Sequence, residues 1–566
     1  MGQARAGGGA AGAPDAFSGA QYLMGLQAFV RLASFATNAV AVGIAGRRAF
    51  GIASVRLELL LSTLLFLSRE GMRNAILRLQ TADRGGGGDD QAQGAAPAAP
   101  RRPSTQDQRV INAALIPIAA GCVLAGCLYA AGVGRSSSEP DPDGVPHHRL
   151  SLVLYIVAAL VELCVEPLFA LSRTRVLFKL QARCEGIAVS CRCAVVIATL
   201  LVGQVAFDGG GANPLRLVAF AVGQLAYAAA ILMAFAWFMS RELCYPVRRC
   251  YVPRAVPRDR AQPRDGDAIG GLAATFVGQS LLKHLLTQGD SIVLTRFAAT
   301  DEMGVFALVS NYGSIPARIV FLPLEEASRA VFSRMAAAGS AQGDAQNAAR
   351  IMETLGRLQL LLGALVVVFG PLYAPVLLSF IRQNDSAVCR ALAAYCLYLP
   401  LMGLNGFLEA FVHSVASKRQ LVRANAWMAA FTAAYMAAAA LALGWLGLGS
   451  AGIIAANMLN MALRVAYCAS FISSWYAQRQ VAGPRVAAML PHPAAVGACL
   501  AAGAITVVSA WFSGPVPHSA QGRLAMLALG AALGAAVLAA IWRCEQPFIQ
   551  SVRALRSSPP HHAKAE

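Results

Sequence analysis

Charged side chains spaced four residues apart lie within long apolar segments of this chain. The stretch FLSREGMR ends one such segment with Arg69, Glu70 and Arg73, and the stretch VELCVEP places Glu162 and Glu166 in another. Residues four apart share one face of a helix. The arginines either mark the wet end of their segment or belong to a polar site, and the two acids either gate that site or neutralise the arginines. This pattern favours binding and gating over bond-breaking chemistry.

Similar polar residues recur later in the chain, which indicates an internal repeat. The stretches QAFVRLASFATN and QSLLKHLLTQGD each carry a glutamine with a cation four residues later. The stretch FLPLEEASR repeats the acid and base of FLSREGMR, and LNGFLEA repeats the spacing of VELCVEP. Because the period is an even number of spans, the two six-span repeats are predicted to be parallel. The first copy contains Gln27, Arg31, Asn38, Glu70, Arg73, Glu162 and Glu166, and the second contains Gln279, Lys283, Asp290, Glu326, Arg329, Asn405 and Glu409.

These residues form polar stripes on otherwise apolar helices. Each central charge would cost about 2.5 to 3.5 kcal/mol in lipid, so the stripes are expected to face the protein interior or a watery cavity. Simpler roles stay open: Arg56, Arg69 and Arg73 could snorkel to the interface, and Arg31 and Lys283 could form structural ion pairs. The candidate cavity-lining residues are Arg31, Asn38, Arg56, Arg69, Arg73, Gln279, Lys283, Arg318, Arg329, Asn405 and Asn457. The candidate gating or charge-pairing residues are Glu70, Glu162, Glu166, Asp290, Glu325, Glu326 and Glu409.

The elements that carry these residues are predicted to be transmembrane helices. The 566-residue chain is 57% hydrophobic and 13% charged, which excludes an ordinary soluble globular protein. Segments of this length and uniform apolarity are helices rather than barrel strands. Fourteen candidate spans lie near 20–45, 52–74, 110–133, 150–172, 180–204, 215–240, 269–297, 304–331, 353–380, 388–415, 420–446, 450–474, 488–512 and 521–543.

Basic connections follow the even-numbered spans, which predicts that these loops and both termini are cytosolic. The net charge of +18 is spread along that membrane face, so it does not indicate nucleic-acid binding. Two Gly-, Ala-, Pro- and charge-rich connections are expected to be flexible. The predicted organisation is a disordered N-terminus (1–19), an N-lobe of spans one to six (20–240, with a flexible loop at 81–109), a basic linker (241–268), a C-lobe of spans seven to twelve (269–475), two further spans (476–545) and a cytosolic tail (546–566).

The chain lacks recognisable catalytic motifs. There is no Walker A loop, no G-x-S-x-G elbow and no H-E-x-x-H pair. Its thirteen cysteines contain no C-x-x-C pair and are typical of small packing residues within the spans. We therefore expect neither an enzyme nor a bound metal or other cofactor.

The motifs SVRLELLLSTLLFLSREGMRNA, VELCVEPLFAL and QSLLKHLLTQGDSIVLT, with GVFALVSNYGSIPARIVFLPLEEASRAVF, closely resemble the Rft family of lipid-linked oligosaccharide translocation proteins. This family is part of the MATE-like multidrug, oligosaccharidyl-lipid and polysaccharide exporter superfamily, and the resemblance runs from about residue 20 to about residue 545. It implies two pseudo-symmetric six-helix lobes around a central cavity plus two C-terminal helices. It also implies an endoplasmic reticulum protein that moves dolichyl-diphosphate-linked heptasaccharide to the lumenal leaflet for N-glycosylation.

Such a substrate suits the candidate residues. Arginine and lysine in a sheltered cavity can hold a diphosphate, asparagine and glutamine can bind sugars, and the polyprenyl tail can stay in lipid. Lobes that rock would expose the cavity to one leaflet at a time. Two alternatives stay open: a non-transporting scaffold that binds the lipid or enzymes of the pathway, and a cation-coupled small-molecule exporter, whose cavity should be acidic.

Overall fold

Helices make up all the regular structure of the described residues. A computed structural model describes residues 33–84, 105–133, 145–175, 177–207, 213–241, 246–254, 281, 283–337, 342–380, 385–514, 516–517, 519–546 and 550. The chain divides into two compact units, which meet between Thr295 and Arg296. The internal repeat instead assigns the helix at 283–297 to the second copy, so the repeat and the compact units divide the chain at different residues.

The first unit contains eight helices of nine residues or more among its described residues, besides the short helix Arg47–Gly51. Two of them, α4 and α5, are separated only by a turn at residues 164–165 and form one candidate span, His148–Thr174. The helices are α1 (Ala33–Ala45), α2 (Glu58–Arg84), α3 (Thr105–Val133), α4 (His148–Leu163), α5 (Glu166–Thr174), α6 (Phe178–Ala206), α7 (Leu215–Arg241) and α8 (283–297).

The second unit begins at Arg296, just before the end of α8, and contains eight further helices of fourteen residues or more among its described residues, besides the short helix Val486–Met489. They are α9 (Thr300–Gly313), α10 (Leu322–Ala337), α11 (Gln342–Phe380), α12 (Ser386–Val415), α13 (Lys418–Gly444), α14 (Gly449–Gln478), α15 (Pro493–Ser513) and α16 (Ala520–Cys544). Side-chain caps begin several of them: Asp385 accepts a hydrogen bond from the Ala387 amide, and Ser417 forms a capping box with Gln420.

Eleven described helices, some of them joined end to end, are long and apolar enough to cross a membrane, or twelve if the bent pair Thr300–Gly313 and Ala317–Ser333 is one span. The predicted spans near 20–45 and 269–297 fall partly outside the described residues, so the predicted total of fourteen is not reached by this count. The chain is a multi-pass membrane protein, as its composition predicted.

Two π-helical turns interrupt the helices that carry the predicted charges. One spans Ile52–Leu57 and leads directly into α2, and the other spans Ala317–Phe321 and leads into α10. Each contains one arginine, Arg56 or Arg318. π-helical turns are rare and occur often at functional sites, and each repeat has one ahead of its charged motif.

Each unit has its own apolar core. In the first unit Phe235, Leu168 and Leu171 pack with Cys250, which lies in a short 3₁₀-helix (Val247–Tyr251) after α7. Burial raises the pKa of the Cys250 thiol to about 12. In the second unit the rings of Phe332, Phe411 and Tyr476 pack against one another within a buried cluster of side chains.

Candidate functional site

The arginines of FLSREGMR lie in an ion-pair cluster within the first unit. The Arg69 guanidinium donates to Glu162 at 2.9 Å and approaches Glu166 at 3.5 Å. The Arg73 guanidinium donates two hydrogen bonds to the Glu166 carboxylate, from Nε at 2.9 Å and from Nη2 at 2.6 Å. The helix spacing explains the match, because Arg69 and Arg73 lie one turn apart on α2 and face acids that are also four residues apart.

Burial makes this cluster energetically significant. The Glu166 side chain is 3% exposed, whereas those of Arg69 and Arg73 are about one-fifth exposed. A buried carboxylate is tolerated only when it is paired and hydrogen-bonded. The sequence left two roles open for Glu162 and Glu166, and in this structure they neutralise the two arginines.

The turn between α4 and α5 positions the acids. Glu162 lies in the last turn of α4, and Glu166 is the first residue of α5, followed at once by Pro167. Proline is favoured in the first turn of a helix because the amide that it lacks has no partner there. The motif VELCVEP therefore directs both carboxylates towards α2.

The other acid of this stretch has a different partner. Lys283 of α8 donates to Glu70 at 2.9 Å, and its amine lies 5.5 Å from the centre of the Phe66 ring. Next to it, His284 forms a hydrogen bond with Thr63 at 2.9 Å. Residues 63, 66 and 70 lie three and four apart, so one face of α2 holds α8. The Lys283 side chain is 60% exposed, and a pair this open contributes about 0 to 1 kcal/mol.

A second set of charges in the first unit was missed by the sequence analysis. Glu58 on α2 and Arg192 on α6 attract each other electrostatically. Arg192 also interacts electrostatically with Tyr155 and Tyr227. Glu58 precedes Arg69 by eleven residues, which is about 16 Å along a helix. Charged residues inside a predicted span were the available signal, because such residues are usually paired or functional.

The second unit has its own carboxylate site, centred on Glu409 of α12. Its carboxylate accepts hydrogen bonds from Asn405 at 2.9 Å and from Arg464 of α14 at 2.7 Å. His413 lies 3.4 Å away. Arg464 was not among the predicted residues, although it continues the stripe of Asn457 and Asn460 at spacings of three and four. That spacing was the signal for it.

The acid and base of FLPLEEASR pair along α10. Arg329 donates to Glu325 at 2.9 Å, one helical turn away. A side chain at Gly406 of α12 would collide with the Glu325 carboxylate, whose Oε2 lies 2.8 Å from the place of a Cβ atom. Glycine at 406 therefore permits this approach. Glu326 and Arg318 are exposed.

The remaining predicted residues are distributed over other helices. Arg31 and Gln279 lie outside the described residues. Asn38 on α1, Arg56 in the π-helical turn and Asp290 on α8 are half-buried, and Asn457 on α14 is buried. The structure thus joins Arg69, Arg73, Glu162 and Glu166 in one site, and Asn405 and Glu409 in another.

The chemistry that these two sites allow is anion binding and charge exchange. Arginine offers one planar fork to carboxylates and phosphates alike. Among the described residues, no three His, Cys, Asp or Glu side chains are placed to hold a metal ion.

The chain resembles known proteins along almost all of its length. The family model described as Rft protein matches residues 15–555. Two relatives carry the name Man(5)GlcNAc(2)-PP-dolichol translocation protein RFT1. The one from Eremothecium gossypii is 30% identical over 475 residues, 81% of this chain and 82% of the relative. The one from Mus musculus is 29% identical over 542 residues, 91% of this chain and 92% of the relative.

Solved structures of two transporters share the fold. The lipid II flippase MurJ in an inward closed conformation superposes with a TM-score of 0.57 at 10% identity, covering 92% of this chain and 99% of that one. An inward-facing multidrug resistance MATE family transporter of the MOP superfamily superposes with a TM-score of 0.52 at 14% identity. The match covers 79% of this chain and 98% of that one. The predicted fold class, an all-α membrane protein of MATE-like type, is confirmed. Because the family model spans nearly the whole chain, the protein belongs to the Rft protein family.

Proposed function

We propose that this protein moves dolichyl-diphosphate-linked heptasaccharide from the cytosolic to the lumenal leaflet of the endoplasmic reticulum for protein N-glycosylation. The observation that carries the proposal is the similarity, over most of both chains, to proteins named for translocating Man(5)GlcNAc(2)-PP-dolichol. In this proposal both termini and the even-numbered loops are cytosolic. Enzymes of the same pathway are candidate partners for the basic loops.

The ion-pair cluster of the first unit supports an anionic substrate. Glu162 and Glu166 hold Arg69 and Arg73 in place through ion pairs. A diphosphate would offer the same arginine forks oxygens of similar geometry and a higher charge. Exchange of the carboxylates for the diphosphate would then free the acids and change the packing of α2 against α4 and α5.

Alternating access is the mechanism that we propose. The two repeats would rock and open a cavity to one leaflet at a time, while the polyprenyl tail stays in lipid. The substrate can drive this change only if it binds the two conformational states with different affinities. Exchange of the buried ion pairs would provide such a difference.

Translocation by the purified protein tests the proposal. The full chain is reconstituted in sealed vesicles that contain the dolichol-linked heptasaccharide, and a mannose-binding lectin outside the vesicles reports how much lipid is accessible. We expect the accessible fraction to rise from about half to nearly all, at a rate that increases with protein content. Protein that binds the lipid in these vesicles without moving it would support the non-transporting scaffold instead.

A matched pair of variants tests the role of the repeat-related cation on α8. Lys283→Ala should lower N-glycosylation of a reporter while the protein remains inserted and abundant, because Lys283 pairs with Glu70 at the predicted site. Arg254→Ala is the control. Within the described part of the chain, Arg254 forms hydrogen bonds only through its backbone, with Asn112, so replacement of its exposed side chain should have no effect. Equal reporter glycosylation in both variants would argue against Lys283 as a site residue.

A further inference from the structure

The first part of the basic linker packs against the first unit. The structure describes its residues 246–254, the linker segment, which lie beyond the candidate span Leu215–Arg241. Cys250 in this segment is completely buried and belongs to the same apolar cluster as Leu168 and Leu171 of α5. The linker segment therefore has an apolar anchor next to the turn between α4 and α5.

Polar contacts with α3 fix the end of the linker segment. The Asn112 side chain donates to the Arg254 carbonyl at 2.7 Å and accepts from the Arg254 amide at 3.2 Å. One turn earlier on α3, Gln108 donates to the Val252 carbonyl at 3.4 Å. Residues 108 and 112 share one face of the helix, so the linker segment lies along α3 in a defined register.

The second unit holds the corresponding part of its chain in the same way. After α14 the chain contacts α11, where the Arg485 amide donates to Glu353 at 2.8 Å and Arg357 donates to the Ala488 carbonyl at 3.0 Å. Glu353 and Arg357 are also four residues apart. Both α3 and α11 carry the third predicted span of their repeat, and both segments follow the sixth. This attachment is therefore common to the two repeats.

In the first unit the linker segment also contacts the turn that carries the acids of the ion-pair cluster. The Tyr251 hydroxyl donates to the Cys164 carbonyl at 2.8 Å. A break in a membrane helix frees backbone carbonyls, and each of them needs another partner. Cys164 lies midway between Glu162 and Glu166, whose carboxylates pair with the arginines of α2. Tyr251 therefore binds the backbone that sets the direction of both acids.

We propose that Tyr251 is a positioning residue, whose hydroxyl holds the turn between α4 and α5 in the conformation that directs Glu162 and Glu166 at the arginines of α2. The linker segment leads into the second repeat, so a movement of that repeat reaches the ion-pair cluster through this hydrogen bond. The inference rests on the proposed function for its effect on glycosylation, whereas its effect on the ion-pair cluster is independent of transport.

A double-mutant cycle on the purified full chain tests the link between Tyr251 and the ion-pair cluster. Tyr251→Phe removes only the hydroxyl and should lower the melting temperature by about 2 °C, the shift expected for the loss of one hydrogen bond. In a Glu166→Gln background the same substitution should lower the melting temperature by less than half as much. The reason is that a turn without its Glu166 carboxylate has fewer ion pairs to hold, and coupled residues have non-additive effects.

Tyr476→Phe is the matched control for this cycle. The Tyr476 hydroxyl also donates to a backbone carbonyl, that of Ala345 at 3.3 Å, but in the second unit. Its substitution should lower the melting temperature equally with and without Glu166→Gln, because the effects of separate sites add. A loss for Tyr251→Phe that is equally large in both backgrounds would overturn the proposal.

Reporter N-glycosylation provides a measurement that lost stability alone would not change. Tyr251→Phe and Tyr476→Phe each remove one hydrogen bond, but only Tyr251→Phe should lower glycosylation per amount of protein in cells whose only Rft protein is the variant. Equal glycosylation in the two variants would overturn the positioning role. A wild type that fails to move lipid in the vesicle assay would count against the proposed function alone, because the melting-temperature cycle does not depend on transport.

Discussion

At the scale of single residues, the most informative contact is the two-armed pair between Arg73 and Glu166. Both arms of the guanidinium bind one carboxylate that is almost completely buried. A lysine at the same position would keep the charge but offer a compact point charge without the planar fork. The planar shape of the arginine side chain therefore matters in FLSREGMR as well as its charge.

We predict that Arg69→Lys and Arg73→Lys each reduce N-glycosylation of a reporter protein without loss of the transporter itself. The physical reason is that lysine cannot reproduce the fork that holds a carboxylate or a diphosphate. Glycosylation and transporter abundance are measured in cells whose only Rft protein is the variant. Arg249→Lys, which changes an exposed arginine, is the control. Normal glycosylation in both test variants would indicate that the two arginines only mark the solvent-exposed end of their helix.

Glu166 should also matter for stability. Glu166→Gln leaves two arginines next to a neutral group in a largely buried place, and removal of one partner from a buried pair costs about 3 to 5 kcal/mol. We expect a clear fall in the melting temperature of the purified protein. Glu326→Gln replaces an exposed acid and should leave it unchanged. A melting temperature for Glu166→Gln that equals that of the wild type would show that the pair has no structural role.

At the scale of elements, a buried carboxylate connects the last two helices to α11 within the second unit. Glu545, directly after α16, is 1% exposed and accepts hydrogen bonds from Arg357 of α11 at 3.1 Å and from the His492 amide before α15 at 2.6 Å. Arg357 also donates to the Ala488 carbonyl at 3.0 Å. One acid therefore connects the ends of α15 and α16 to the middle of α11.

We predict that Glu545→Ala loosens this connection. It leaves Arg357 and the His492 amide without their carboxylate, so the free energy of unfolding should fall by about 3 kcal/mol or more. Faster protease cleavage at 479–492, together with a lower melting temperature, is the measurement. The control is Arg485→Ala. The Arg485 side chain is 84% exposed, and its ion pair with Glu353 is long, at 3.9 Å. Equal cleavage rates in the two variants would contradict the predicted role of Glu545.

At the scale of the whole molecule, the distribution of basic residues predicts how the chain lies in the membrane. The segments 85–100 and 134–144 flank one candidate span, Asp107–Ala130. They should therefore lie on opposite sides. Arginines and lysines near the even-numbered span ends favour the cytosol for the first segment.

We predict that a tag inserted at 85–100 is accessible to protease in sealed microsomes and that a tag at 134–144 is protected until detergent is added. The reason is that basic residues next to span ends are retained on the cytosolic side. Detergent-treated microsomes show that both tags can be cleaved. Protection of the first tag with exposure of the second would reverse the proposed orientation.

The sequence by itself determined the class of the molecule. Apolar length and composition were sufficient for the helical membrane fold, because every backbone polar group in lipid must be satisfied within a helix or a closed barrel. The motifs around Arg69, Glu162 and Glu325 were sufficient for the family. Helical spacing also predicted that Arg69 and Arg73 share a face, since spacing along one helix depends only on local geometry.

Only the tertiary structure decided which charges pair. Arg73 binds Glu166, 93 residues away, while Glu70, three residues away, binds Lys283. Arg464 joins Glu409, and Arg173 shares the Phe169 ring with Arg73. These choices depend on which helices pack together and how each is rotated about its axis. Apolar helices of similar length carry little information about their neighbours, so the partner of a charge inside the membrane is set by packing.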